Sequence, residues 1–192
     1  MDRYGKNEWL YAYPIANALV TDERFRQWFV SMTPFKDHAV TARLLWEEQK
    51  ARRTKGSETW WRSYWTGSSY PHRAECGERE TDLLAVFEGF EGFRFALHVE
   101  VKAPGDKFGV DQARDYGRRA ICWKGQNRAP KTVLPHEDAA TILCCEGMFA
   151  HSNPEKSGLF DTVLSHIDIA KFIEPYPASS QALDPKATTQ LQ

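Results

Sequence analysis

Long apolar runs are missing from this chain of 192 residues. No stretch approaches the ~20 consecutive apolar residues that a membrane-spanning helix needs, so no membrane segment is expected. An excess of one charge is missing too, with 25 basic against 26 acidic side chains. That balance excludes a protein that grips nucleic acid by bulk positive charge, and it leaves room for a local basic face. Cysteine is scarce, and Cys76, Cys122, Cys144 and Cys145 contain no CxxC pair, which argues against a zinc site. Four free, buried thiols in a reducing compartment are the expectation. The chain opens with Asp2, Arg3, Lys6 and Glu8 before any apolar stretch, which is unlike a signal peptide, so a cytoplasmic protein is expected. A Gly-x-Ser-x-Gly elbow, a P-loop and internal repeats are likewise absent.

What is present is a composition for one domain with a substantial core, 42% apolar and 13% aromatic. Residues 1–174 are expected to form that domain, with a helical part over 1–55 and a sheet core over 80–174. Residues 175–192, rich in Pro, Ser, Gln and Thr, read as a flexible tail. The spacing predicts a helix from Asn7 to about Val20 and a second capped by Asp22 that carries Phe25, Trp28 and Phe29. Beyond Pro34 it predicts a longer helix, capped by Asp37, with Val40, Leu44 and Leu45 as its stripe and a basic end at Lys50, Arg52 and Arg53. Residues 54–79 read as a connecting segment anchored by Trp60, Trp61, Tyr64, Trp65 and Tyr70. Thr81–Phe87 and Phe93–Val101 then form a hairpin, Val110–Ile121 returns to helical spacing, and Ala139–Cys145 and Thr162–Ile167 are further strands. The class is mixed α/β, a sheet packed on helices.

The chemistry concentrates in Thr81–Phe87 and Ala96–Lys102. Alternation along a strand directs His98, Glu100 and Lys102 to one face and Leu97, Val99 and Val101 to the other. Asp82, on the partner strand, can bring a second carboxylate to the same place. Charges near a sheet centre cost free energy unless they are paired or bind a cation. Converging carboxylates suit an oxygen-preferring ion, Mg²⁺ or Mn²⁺, and an adjacent lysine can orient or deprotonate water or neutralise charge on a phosphodiester. The bland alternatives are an ordinary strand-end acid at Asp82, a cross-strand ion pair of Glu100 with Lys102, and a polar strand residue at His98. Glu80, on the same face as Asp82, is an alternative ligand.

Asp82, followed eighteen positions later by Glu100-Val101-Lys102, resembles the motif of the PD-(D/E)XK nuclease superfamily, although Thr81 stands where that motif has Pro. Gln112-Ala113-Arg114-Asp115-Tyr116 is similar to the QxxxY helix of its RecB-like and Cas4-like branch. The resemblance covers residues 80–120. It implies a restriction-endonuclease-like core, a central mixed sheet flanked by helices, and a metal-dependent nuclease acting on DNA in restriction, defence or repair. By the same resemblance Asp82, Glu100 and the Val101 carbonyl hold the metal, Lys102 acts on the water, and Gln112 and Tyr116 support the site. The superfamily often adds an acid from an early helix, for which Glu47 and Glu48 are candidates; an exposed helical pair is the alternative. A catalytically inactive nucleic-acid-binding or scaffold subunit is the second functional class. With no recognisable target-recognition domain, specificity is expected from a homodimer or a partner protein.

Residues 103–131 carry seven cations against three acids, and 43–55 carry five against two, so the neutral total conceals two basic stretches. Arg114 and Arg118 share a helical face near Gln112, where phosphate contacts would be useful. The Trp60–Trp65 aromatics either stack on bases or close a core.

Overall fold

Ala12, Ile15, Ala16 and Leu19 recur at three- and four-residue steps, which sets them on one side of a helix. The computed structural model of the chain describes residues 6–53, 56–65, 71–77, 80–125 and 128–177, and these four residues line the buried face of α1 (Lys6–Thr21). Asp22 caps α2 (Glu23–Ser31), accepting from the Phe25 N–H at 3.1 Å, and Phe25 and Phe29 are buried below it. The sheet holds β1 (Arg43–Leu44), β2 (Arg62–Trp65), β3 (Glu80–Glu88), β4 (Arg94–Val101), β5 (Asp138–Cys145) and β6 (Thr162–Ser165). Its order is β1-β3-β4-β5-β6, with β2 sharing the outer edge of β3 with β1. The β3–β4 hairpin is antiparallel, and β5 and β6 add in parallel. This is the expected mixed α/β class, a mixed sheet flanked by helices.

Both faces of the central strands are covered. Leu83, Ala85, Phe87, Leu97, Val99 and Val101 pack toward α1 and α2. On the other face lies α5 (Gln112–Trp123), whose Ala113, Tyr116, Ala120 and Trp123 form one buried stripe. The strand face that bears His98, Glu100 and Lys102 is therefore interior, and all three side chains are buried. Short helices α6 (Gly147–Ser152) and α7 (Pro154–Ser157) occupy the connection from β5 to β6, and α8 (His166–Ile169) follows β6 directly.

The long helix expected after Pro34 is not formed. A 3₁₀ turn at Lys36–His38, β1 and a short α3 (Trp46–Ala51) take its place, and Val40 is exposed. The need to satisfy the edge of β3 overrides helical spacing: Leu44 pairs with Phe87, and the Leu45 N–H donates to the Val86 carbonyl at 2.8 Å. Between β1 and β2 the edge is closed by a side chain, since buried Gln49 donates to the Leu84 carbonyl at 3.0 Å and accepts from the Val86 N–H at 2.8 Å. The segment read as connecting contributes β2, and Trp60 and Trp61 are buried in the α1-side core, so they close a core. Tyr70, the side chains of Tyr64 and Trp65, residues 1–5 and the tail from 178 lie outside the described residues.

Two further expectations are corrected. Cys76, at the end of α4 (Arg73–Cys76), is joined to Cys122 of α5 in a disulfide with a Cα–Cα separation of 5.3 Å. Only Cys144 and Cys145 are free and buried as expected. Chain separation hid the pair, because it takes the folded approach of α4 to α5 to bring the two thiols together. Gly77 permits that approach: its φ is +82°, and a Cβ there would stand 3.0 Å from the Asp115 carboxyl carbon. Tyr176, assigned by sequence to the tail, is buried and lies 2.9 Å from His166 Nδ1 at the head of α8. The ordered body thus extends past residue 174. No helix among the described residues is long and apolar enough to cross a membrane.

Candidate active site

Register decides whether the acids meet. Leu83 pairs with Val99 across the antiparallel hairpin, so Asp82 stands across from Glu100 at the end of the β3–β4 pair. The Val101 N–H donates to Asp82 Oδ2 at 2.9 Å. In extended backbone the N–H and C=O of one residue point to the same side, so the Val101 carbonyl is also directed toward β3. Lys102 Nζ lies 2.5 Å from Glu100 Oε1, with both side chains almost fully buried.

The two expected α5 residues reach this place from above. Gln112 donates from Nε2 to Glu100 Oε1 at 2.7 Å, while its Oε1 accepts from Lys102 Nζ at 3.1 Å and from the Gly109 N–H at 2.9 Å. Its amide thus ties the carboxylate to the ammonium and the preceding loop to both. The Tyr116 hydroxyl accepts from the Asp82 N–H at 2.9 Å and lies 3.3 Å from the Val99 carbonyl, to which it donates. It bridges the two strands where their ladder opens, and so fixes the backbone that carries Asp82.

Besides Lys102, the buried Arg119 guanidinium acts on both carboxylates. Burial, and then the Glu100 carboxylate and Glu8, push the Asp82 carboxyl well above the usual carboxylate range. Burial alone would lower Lys102, but the Glu100 and Asp82 carboxylates outweigh it and raise the ammonium above the ordinary lysine value. Lys102 is therefore a firmly held cation at neutral pH, suited to stabilising negative charge rather than to removing a proton from water. Burial and the Asp82 and Glu100 charges also raise Tyr116 well above its usual value, so its hydroxyl keeps its proton. Glu100 Oε2 is buried and has no hydrogen-bond partner among the described residues.

Compared with known proteins, the chain matches no family model, and no curated protein or solved structure is significantly similar to it. Geometry alone therefore bears on the site. Glu47 and Glu48, the early-helix candidates, do not reach this place. Glu47 is exposed, and Glu48 pairs at 3.4 Å with both Arg43 and Arg94 near the far end of β3, where Arg43 lies opposite Glu88. Besides Glu100, Glu8 of α1 is an acid whose charge acts on both Asp82 and Lys102. Sequence held one usable signal for it, a carboxylate in the first turn of the helix. Glu80 is not among the groups that chiefly raise Asp82, and its carbonyl accepts from Arg119 at 2.8 Å. Glu8, Asp82 and Glu100 do not converge into a three-ligand cluster among the described residues.

His98 is interior, between Trp123 and His136, and burial lowers it well below the ordinary histidine value, so it is neutral. The cations of α5 are largely engaged locally. Arg114 pairs with Asp111, Arg118 with Asp115 and the Ala74 carbonyl, and Arg119 is buried over the Tyr116 ring. A positioning residue without a sequence signal is His166, whose Nε2 lies 2.9 Å from the Lys102 carbonyl. A carbonyl only accepts, so Nε2 carries the proton and Nδ1 accepts from Tyr176.

Proposed function

We propose that the protein is a divalent-metal-dependent nuclease of the PD-(D/E)XK type that hydrolyses phosphodiester bonds of DNA. One observation carries this reading: two buried carboxylates, Asp82 and Glu100, stand across from each other at the end of the β3–β4 pair, with the Lys102 ammonium beside Glu100. Fold stability does not require this arrangement, and a cation would relieve it. The donor set fits Mg²⁺ or Mn²⁺, being all oxygen, with Asp82, the buried unpartnered Oε2 of Glu100 and the Val101 carbonyl as the residues that would hold the ion. When bound, such an ion supplies Lewis-acid polarisation of the phosphodiester and makes a water more acidic. Lys102 neutralises charge that develops on the phosphoryl oxygens. Gln112 holds Lys102 and Glu100 in register, Tyr116 holds the backbone of Asp82, and His166 fixes the carbonyl end of Lys102. Glu8 adds negative potential from α1. DNA places the work in the cytoplasm, which would require the Cys76–Cys122 disulfide to survive reducing conditions. A second copy or a partner chain supplies sequence specificity.

A second reading, an inactive nucleic-acid-binding or scaffold subunit, is favoured by the engagement of Glu100 Oε1 with both Lys102 and Gln112. Cleavage decides between the two. Plasmid and oligonucleotide DNA should be cut in Mg²⁺ or Mn²⁺, cutting should stop in EDTA, and Asp82→Ala should be inert. Equal cutting by wild type and Asp82→Ala would remove the site, and no cutting by either would favour the inactive subunit.

A further inference from the structure

The Cys76–Cys122 disulfide has no part in the chemistry proposed for the carboxylates, yet the loop it closes contains them. Forty-six positions separate the two cysteines, and Asp82, Glu100, Lys102, Gln112 and Tyr116 all fall between them. On one side the bond is held by α4, a helix of four residues, too short to keep its shape without packing. Two other ties of α4 to the body lie at the surface: the Ala74 carbonyl accepts from Arg118 at 2.7 Å, and Glu75 pairs with Arg128 at 2.6 Å. Exposed pairs of this kind add little. The covalent bond is therefore the main clasp between α4 and α5, and α4 leads within a few residues into β3 and Asp82.

The two sulfurs differ in access. Cys76 is fully buried, in the cluster that holds Leu84, Val86 and Trp123. Cys122 is half-buried and lines a cleft of about 430 Å³ on the outer side of α5, beside Ile121, Lys124 and Gly125. Charge does not choose the occupant of that cleft, because each cation around it is paired: Arg118 with Asp115, Lys124 with Asp138 and Arg128 with Glu75. What the cleft offers is a way in to one sulfur of the two, on the scale of a small molecule.

We propose that Cys122 is a thiol-exchange site, at which a small monothiol of the glutathione class opens and recloses the clasp between α4 and α5. The monothiol attacks Cys122 Sγ as its thiolate; the new S–S bond forms as the bond to Cys76 breaks, and Cys76 Sγ leaves with the electron pair and takes up a proton. A second monothiol thiolate attacks the small-molecule sulfur of that mixed disulfide, and Cys122 leaves as a thiolate that is protonated in turn. Two monothiols are thereby oxidised to their disulfide, and the protein gains two electrons and two protons; the reverse sequence recloses the bond. Access selects the sulfur that is attacked, since exchange needs an open approach to it. A reducing compartment favours the open form and an oxidising one the closed form, so thiol supply sets how firmly the segment that bears the candidate site is tied down.

The test equilibrates the full-length protein in buffers of reduced and oxidised glutathione, quenches with acid and maps the cysteines by mass spectrometry. Glutathione should be found on Cys122 and not on Cys76. Cys76→Ala should take up glutathione at Cys122 at least about tenfold faster than Cys122→Ala takes it up at Cys76. Reduction of the wild type should quicken proteolytic cleavage within residues 71–77 at least about tenfold and lower the Tm by roughly 5–15 °C, and oxidised glutathione should reverse both. Adducts shared equally, or found first on Cys76, would overturn the site, as would a bond that excess reduced glutathione leaves intact. Unchanged proteolysis and melting after full reduction would overturn the clasp. Should either variant fail to fold, the wild-type map alone decides the attacked sulfur. None of these readouts needs DNA cleavage: an inert protein that exchanges at Cys122 keeps this site without the nuclease, and Asp82-dependent cutting by a protein that ignores glutathione keeps the nuclease without this site.

Discussion

Lys102→Met should slow DNA cleavage by about 10²–10⁴-fold while leaving nucleic-acid affinity within a few fold of wild type. The expectation follows from where the ammonium sits. Its Nζ is 2.5 Å from Glu100 and 3.1 Å from the Gln112 carbonyl oxygen, in a nearly closed setting, and the neighbouring carboxylates keep it charged. A cation fixed this way contributes most when negative charge builds on the phosphoryl group, because its orientation is already set. Methionine keeps the length and volume of the chain and removes only the charge. The substitution also strips Glu100 of its partner, and breaking a buried pair costs about 3–5 kcal/mol unless the remaining acid takes up a proton. Circular dichroism and a melting curve should accompany the kinetics, with rates measured well below the variant's Tm. Wild-type cleavage by a folded Lys102→Met protein would remove lysine from the mechanism.

Asp82→Asn should abolish cleavage and at the same time stabilise the metal-free protein. The carboxyl of Asp82 is raised by burial and by Glu100, so the folded state holds its proton at a pH where the unfolded chain has released it. Below the unfolded value of about 4 both states are protonated, and the group contributes no pH dependence. As pH rises from there, the unfolded state is favoured progressively until the folded carboxyl also ionises, so wild-type stability declines across that window. Asparagine does not titrate, and its carbonyl oxygen can still accept from the Val101 N–H at the position now held by Oδ2. The variant's advantage should therefore grow from about pH 4 upward and reach roughly 1–2 kcal/mol, the usual scale of a stabilising single substitution. In a chain of this length that is an increase in Tm of roughly 2–8 °C. Added Mg²⁺ should raise the wild-type Tm and leave the variant's unchanged. A variant less stable than wild type at neutral pH without metal would show that the Asp82 carboxylate is well compensated in the fold and has no need of a cation.

The facing carboxylates were legible because a strand repeats every two residues and a hairpin fixes which residues are opposite. From that alone Glu100 and Lys102 share a face, and Asp82 can meet them; the four-residue step from Gln112 to Tyr116 placed both on one side of α5. What could not be read depends on contacts distant in sequence. Glu8 acts on Asp82 and Lys102 from α1, and local sequence shows the acid but not where α1 packs against the sheet. The acids preferred from sequence, Glu47 and Glu48, lie in a stretch whose helical spacing gave way to the unsatisfied edge of β3. The free-thiol expectation failed for Cys76 and Cys122 because α4 and α5 approach each other only in the fold. The basic stretch after residue 102 was real as composition, but its arginines on α5 are engaged with Asp111, Asp115, Thr81 and backbone carbonyls.

A metal centre at Asp82 and Glu100 is tested most directly by calorimetric titration of the full-length, metal-free protein with Mn²⁺, run in parallel on Asp82→Asn and Glu100→Gln. The wild type should show a saturable site with proton release as Asp82 ionises, and each variant should lose at least about tenfold in affinity. Equal Mn²⁺ binding in all three proteins, or none in the wild type, would contradict a metal centre at these two carboxylates.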